Sequence, residues 1–289
     1  MIKLYSYGKI NLFLNVKEKL KTGYHSLSSV MQSVEMHDEI LLESSHNNEI
    51  VVECNDPFVP VNEKNTCYKA ASIIKEIYHI KFGVIIKINK TIPSEAGLAG
   101  GSGNCAAVIQ GLNILWNLNL TEDEMSKIGL EIGADVPFCL TGGTCLAEGI
   151  GDELTKLKDF VWNDILIVKP GFSMSTAFVY NNLTPDYYNL YKANDMLNYI
   201  SLCDYDCAAL SVKNTLEGVV EKFHPEIYDI KKSMIQNGAL SSIMTGSGSA
   251  VFGLFPDRKS IETAYAKISS IYPQTFITGT TTEGIKLFV

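Results

Sequence analysis

Three sets of residues in this chain have types and spacing that could do chemistry. Lys9 and Asn11 stand in an otherwise apolar opening stretch, Gly8-Lys9-Ile10-Asn11-Leu12, and Asp135 lies far along the chain, just before Val136-Pro137. A carboxylate positioned to accept a proton from an attacking alcohol contributes ~10²–10⁴-fold to a rate. A lysine set among apolar neighbours is a functional candidate. Asp135 fits the N-cap of a following turn almost as well, and its residue type alone leaves both roles open. The second set is Pro93-Ser94-Glu95-Ala96-Gly97-Leu98-Ala99-Gly100-Gly101-Ser102-Gly103-Asn104. Its glycines let backbone amides approach an anion with no Cβ in the way. The helix pattern that follows adds unpaired N–H groups and a positive dipole end. It reads as a phosphate cradle or as a glycine-rich turn at a helix start. It is neither a Walker A loop, lacking Lys-Ser or Lys-Thr, nor a GxGxxG fingerprint. The third set, Thr245-Gly246-Ser247-Gly248-Ser249, is a tight turn between strands and a possible second cradle.

These residues need strands and helices to place them. Period-two alternation predicts early strands over 2–5 and 10–16. Residues 40–43 and 50–54 suggest a hairpin around a polar turn at 44–48. Asn65-Thr66 can cap a helix running to about His79, and 82–89 reads as a strand leading into the glycine loop. The helix after the loop extends to about Trp116. Thr121-Glu122-Asp123-Glu124 is a capping box that starts another, ending near Gly133. A turn and strand follow at 142–147. The pattern loosens at 149–158, where a domain boundary is expected. Beyond it come a strand at 165–168, helices near 188–202 and 214–223, and a helix from Pro225 to Asn237-Gly238. Strands at 241–244 and 250–255, a last helix capped by Asp257, and a closing strand at 276–278 complete the pattern. Mixed strands and helices of this kind indicate α+β layers.

At 289 residues the chain can bury a sizeable core. A formal charge of −8 argues against a general nucleic-acid binder, while leaving room for a local site for a small phosphorylated ligand. Seven cysteines without a CxxC pair read as reduced thiols, so a cytoplasmic location is expected. No apolar run reaches membrane-spanning length, and no membrane partner is expected. The sequence sets no oligomeric state. Cys203 and Cys207 at CxxxC spacing lack a second ligand set, and Asp204 and Asp206 read as a solvated loop.

In order and spacing, the Lys9 segment, the Pro93–Asn104 loop and the turn at 245–249 resemble the three motifs of the GHMP kinase superfamily, over essentially the whole chain. Gly23-Tyr24-His25, the stretch from Met31 to Asp38, Gly133-Ala134-Asp135-Val136-Pro137-Phe138 and Gly142-Gly143-Thr144 are similar to a branch that phosphorylates a cytidyl diphosphate alcohol in the non-mevalonate route to isoprenoid precursors. The resemblance implies an α+β, two-domain GHMP kinase fold. A ribosomal protein S5 domain 2-like N-terminal domain carrying the ATP loop would span 1–155, and a ferredoxin-like C-terminal domain 156–289. It implies ATP and Mg²⁺, with Lys9 and Asp135 as the catalytic pair. ATP would be bound by the loop from Pro93 to Asn104, with Ser102 and the loop amides on the phosphates and Mg²⁺, and with Lys90, Asn65 and Thr66 at the adenine. No protein metal cluster is implied, so Mg²⁺ would be held mainly by ATP. Asn11 and Thr176 would contact the polyol or its diphosphate. Tyr24, His25 and Tyr180 would take the cytosine, where stacking on an aromatic ring is worth ~1–3 kcal/mol per base. The usual loop reads Gly-Leu-Gly-Gly-Gly-Ser-Ser, and this chain has Ala99 and Gly103 at two of those positions. Thr22 stands where Asp is usual before Gly-Tyr-His. The alternatives are another branch of the superfamily, of the homoserine or mevalonate type, and a non-catalytic nucleotide sensor. Tyr24, His25 and Tyr180 separate the branches, since an acyclic acid needs no aromatic base site.

Overall fold

The computed structural model describes residues 1–288. Its longest elements are two antiparallel neighbours, β1 (Ile2–Lys19) and β2 (His25–Ser45). The alternation at either end of β1 suggests two short strands, and the structure joins them into one. From Gly8 to Val16 the strand is buried on both faces, so the alternation that marks a half-exposed strand fades there. Register shifts at Tyr7/Gly8, Asn11/Phe13 and Val16/Glu18 bend the pair around Lys9 and Asn11.

The expected hairpin between 40–43 and 50–54 does not form. Instead β3 (Ile50–Cys54) runs parallel to β4 (Gly83–Asn89), which lies between it and β2. The intervening helix α1 (Thr66–Ile77) supplies the crossover that parallel neighbours require. Helices α2 (Gly100–Leu115), α3 (Glu122–Ile132) and α4 (Val136–Thr141) join α1 on one face of the sheet. The Thr121–Glu124 capping box forms as its sequence indicates. Thin residues of α2, Ala106 and Ala107, pack with Ala70, Ala71 and Ile74 of α1 in the core that contains Leu4, Ile40, Leu42 and Ile86 of the sheet.

After the hairpin of β5 (Thr144–Glu148) and β6 (Glu153–Lys156), β7 (Ile165–Val168) opens a second sheet. Short helices α5 (Thr176–Asn181), α6 (Asn194–Leu202) and α7 (Tyr205–Leu210) follow. Then come β8 (Lys213–Asn214), α8 (Glu217–Phe223), α9 (Glu226–Gln236), β9 (Ser241–Met244), β10 (Val251–Leu254), α10 (Arg258–Ile268), β11 (Thr275–Thr278) and β12 (Ile285–Phe288). The second sheet is antiparallel in the order β11-β7-β10-β9, with helices before β9 and after β10, which is the ferredoxin-like arrangement. Helices α8, α9 and α10 share a core with it through Val219, Ile230 and Ile261.

The chain does not divide cleanly at 155/156. Strand β6 runs through Lys156, β12 pairs with β1, and β8 bridges Phe13 and Leu14 of β1 in parallel. A core of Ile10, Leu12 and Phe13 with Phe160, Ile165 and Phe252 joins the two sheets, which fixes the walls of the cleft between them.

Candidate active site

The cleft encloses about 860 Å³ and is lined from both halves of the chain. Lys9 enters from the doubly buried part of β1, its side chain only 5 % exposed. Its Nζ donates to Asn11 Oδ1 at 2.7 Å and lies 3.8 Å from Asp135 Oδ2. Asn11 Nδ2 donates to Ser29 Oγ at 2.8 Å, and that hydroxyl donates to the Phe13 carbonyl, so the amide cannot swing away. Asp135 occupies the residue before α4 but makes no side-chain capping bond. Its carboxylate, 36 % exposed, is therefore left to face the cleft and Lys9. Of the two roles open in the sequence, capping is not the one its side chain plays.

The glycine loop forms the opposite wall from Pro93 through Ser102. It is stitched on both sides: Lys9 N–H donates to the Leu98 carbonyl at 3.1 Å, and Ala250 N–H donates to the Ala96 carbonyl at 3.1 Å. Gly97 lies between these ties at φ +76°, where a Cβ would stand 2.3 Å from the Thr245 carbonyl oxygen, so only glycine lets the two glycine turns interlock. Glu95 and Ala99 hold left-handed backbone at φ +53° and +56°, strain of the kind that clusters at ligand sites. Among the described residues, no backbone or side-chain acceptor takes the N–H groups of residues 97–102, while Gly103 N–H bonds to the Ala99 carbonyl. A row of unpartnered amides at the start of a 16-residue helix offers the donors and the dipole end that suit an anion. Lys9 is the only lysine or arginine among the cleft's described lining residues.

Four residues expected at the nucleotide lie outside the lining of the cleft. Lys90 and Asp38 form a buried ion pair, with side chains 6 % and 0 % exposed. Lys90 also donates to Asn104 Oδ1 at 3.1 Å, and Asp38 accepts from Asn104 Nδ2 and from the backbone of Thr91 and Ile92. This network fastens the entry of the loop to its exit. Asn65 is spent capping α1, accepting from Cys67 N–H at 2.8 Å and donating to the Pro60 carbonyl. Gly103 faces β1, where a Cβ would stand 3.2 Å from the Tyr7 carbonyl oxygen, so a side chain there would crowd β1. Thr66 does line the cleft, and its hydroxyl donates to the Gly101 carbonyl at 3.0 Å.

Aromatic side chains gather at the other end. His25 and Tyr180 rings lie 5.1 Å apart at 37°, and Tyr188 Oη stands 3.3 Å from His25 Nε2. Tyr24 is largely exposed at the rim. The turn before it closes through its own backbone, Gly23 N–H to Leu20 carbonyl and Leu20 N–H to Tyr24 carbonyl, so Thr22 is not needed to hold it. Thr176 starts α5 and shares a 2.9 Å hydrogen bond with Ser247, tying the aromatic end to the second glycine turn. Tyr188, Ile150 and Gly151 carried no signal in the sequence; an aromatic in a tyrosine-rich loop and a turn after β5 look ordinary until the fold brings them here.

Burial, with a smaller push from Lys19, lowers the His25 imidazole below its ordinary value of 6.5, and burial pushes the Tyr180 hydroxyl up. The neutral form is thus favoured at pH 7, in which one ring nitrogen donates and the other accepts. Between its lowered folded value and 6.5, the unfolded chain binds a proton that the folded chain does not. Stability is therefore lost as pH falls through that window. Thermal melts of the wild type should show this slope, and His25→Gln should flatten it; an unchanged slope in the variant contradicts the assignment.

Comparison with known proteins places this geometry. The family of the GHMP kinases N terminal domain matches residues 65–143, and that of the GHMP kinases C terminal matches 201–274. A 4-diphosphocytidyl-2-C-methyl-D-erythritol kinase of Acetivibrio thermocellus is 45% identical, with 96% of this chain and 99% of the relative covered. The crystal structure of a 4-(cytidine 5'-diphospho)-2C-methyl-D-erythritol kinase superposes with a TM-score of 0.82 at 26% identity, covering 96% of this chain and 98% of the other. A homoserine kinase from Cytophaga hutchinsonii, at TM-score 0.79 and 19% identity over 99% and 97% of the two chains, shares the fold. Identity of this degree over nearly the whole of both chains shows that this chain belongs to the GHMP kinase family, in the branch of the 4-diphosphocytidyl-2-C-methyl-D-erythritol kinases.

Proposed function

We propose that the chain transfers the γ-phosphate of ATP to the 2-hydroxyl of 4-diphosphocytidyl-2-C-methyl-D-erythritol. The observation that carries this reading is one cleft holding Lys9, Asn11 and Asp135 between a row of free loop amides and the His25–Tyr180 aromatic pair. The loop amides and Ser102 receive the triphosphate, and the α2 N-terminus favours its charge. Asp135 accepts the hydroxyl proton as the acceptor oxygen forms its bond to the γ-phosphorus and the bond to the bridging oxygen of ADP breaks. Lys9 steadies the negative oxygens on the path between them. The acceptor hydroxyl is tertiary and crowded, so orientation outweighs nucleophile strength. Phosphoryl transfer asks the protein mostly for positioning and charge neutralisation, which this cleft supplies.

Mg²⁺ fits the donor set on one condition. Among the described residues no three His, Cys, Asp or Glu side chains converge, so the protein offers no cage of its own. The Ser102 hydroxyl lines the cleft and could give one oxygen to an ion carried by the phosphates. Bound there, Mg²⁺ would neutralise charge on the β- and γ-oxygens.

The aromatic pair supports a cytidyl acceptor over an acyclic acid. All seven cysteines are unbridged, which supports a reducing, cytoplasmic setting. The test is an ADP-release assay with the cytidyl alcohol beside free methylerythritol phosphate. Release with the cytidyl compound alone is expected. Equal release with both removes the base site, and no release with either favours a nucleotide sensor.

A further inference from the structure

Thr245 is wholly buried in the turn between β9 and β10. Its hydroxyl accepts the Asn11 backbone N–H at 3.0 Å and lies 3.4 Å from Asn11 Oδ1, the atom that also accepts Lys9 Nζ. A Cβ on the next residue, Gly246, would stand 3.3 Å from Lys9 Nζ. The turn thus borders the catalytic amine, yet β9 is an edge strand of its sheet and does little to fix the turn's position across the cleft.

A neighbouring segment fixes it. Asn214 Nδ2 donates to the Met244 carbonyl at 2.7 Å and to the Gly246 carbonyl at 2.8 Å, gripping the chain on both sides of Thr245. Its Oδ1 accepts Leu216 N–H at 2.9 Å, so both amide hydrogens and the oxygen are used. Glu217 Oε2 accepts Met244 N–H at 2.8 Å, and Lys231 holds the other oxygen of that carboxylate. Asn214 is in turn anchored to the strand that bears Lys9: it bridges Leu14 of β1 in parallel, and Thr215 N–H donates to the Leu14 carbonyl at 2.9 Å. Beside the Thr245–Asn11 bond and the ties through the glycine loop, one buried amide thus links β1 to both sides of the turn that locks Asn11 and Lys9.

We propose that Asn214 is a positioning residue for phosphoryl transfer, acting through the Met244–Gly246 backbone and Thr245 to hold Asn11 and Lys9 in register with Asp135. The inference rests on the reading of Lys9 as catalytic. Misplacement of about 1 Å can cost ~10²-fold in rate without touching the substrates.

Asn214→Leu keeps the side chain's bulk and removes both donors. It should lower kcat by ~10–100-fold while shifting KM for ATP and for the cytidyl alcohol by less than ~3-fold. The deciding measurement repeats the substitution in a Lys9→Met background. There the residual kcat should fall by less than ~3-fold, because the group being positioned is gone. The full single-variant factor appearing again in that background would overturn the inference and leave Lys9 in its role. An unchanged kcat in Asn214→Leu would overturn it as well. Full activity in Lys9→Met alone would remove both this inference and the catalytic reading. If Asn214→Leu fails to give a cooperative melt, Thr245→Val deletes the linking hydroxyl at nearly constant shape and enters the same cycle, with the same non-additivity expected.

Discussion

Asp135→Asn should lower kcat by ~10²–10⁴-fold and leave ATP affinity within about twofold, because it removes a proton acceptor and keeps the shape of the cleft. Asp135 makes no capping bond to α4, so the helix loses nothing by the change. Its charged neighbour is Lys9 at 3.8 Å, and that amine stays tied to Asn11. The loop amides that would hold the triphosphate have no contact with the carboxylate as hydrogen-bond partners. Steady-state kinetics with nucleotide titration of the variant would check both halves of this expectation. Activity within tenfold of the wild type, well short of the ~10²-fold at the low end of a base's contribution, would deny Asp135 the role of base. A parallel loss of nucleotide binding would make it a phosphate or metal contact instead.

Lys90→Met should destabilise the fold by about 3–5 kcal/mol, the cost of leaving a buried charge without its partner. Asp38 is wholly buried, and Lys90 is the cation paired with it. The carboxylate would keep its bonds from Thr91, Ile92 and Asn104 but lose the compensating charge. Because those bonds fasten both ends of the glycine loop, KM for ATP should rise along with the loss of stability. The paired change Asp38→Asn with Lys90→Met removes both charges and should recover much of the stability lost in the single variant. Denaturant unfolding of the two variants measures this. A single variant as stable as the wild type would show that Lys90 serves the nucleotide and not the loop.

The fate of Lys90 illustrates what a sequence can and cannot carry. A lysine at the end of a strand, just before a glycine loop, has the right type and place for a nucleotide contact. What decides its role is Asp38, a residue 52 positions away that only the pairing of β2 with β4 brings alongside. Gly103 is similar: a loop position that usually carries a hydroxyl turns out to face β1, so its chemistry is set by the Tyr7 carbonyl. Local signals fared well where one turn of backbone decides the outcome. The Thr121–Glu124 box, the Asn65 cap and the glycine loop leading into α2 all depend on residues within a few positions of each other. The long strands were legible only in part, because burial on both faces erases the alternation that reveals them. The parallel pairing of β3 with β4 and the return of β12 to β1 depend on contacts across the chain, whereas two short strands around a polar turn locally favour a hairpin. Tyr188 and Asn214 read in the sequence only as the starts of helices, which the structure begins later, at Asn194 and Glu217; their place at the site comes only from what the fold sets beside them.

The most direct measurement is the structure of a ternary complex with a non-hydrolysable ATP analogue and the cytidyl alcohol. The acceptor 2-hydroxyl should lie within hydrogen-bond reach of an Asp135 carboxylate oxygen, about 2.6–3.2 Å, with the γ-phosphate on the amides of residues 97–102 and Lys9 Nζ between them. A complex that seats the nucleotide away from those amides, or turns the hydroxyl toward a wall that Asp135 cannot reach, would contradict the account.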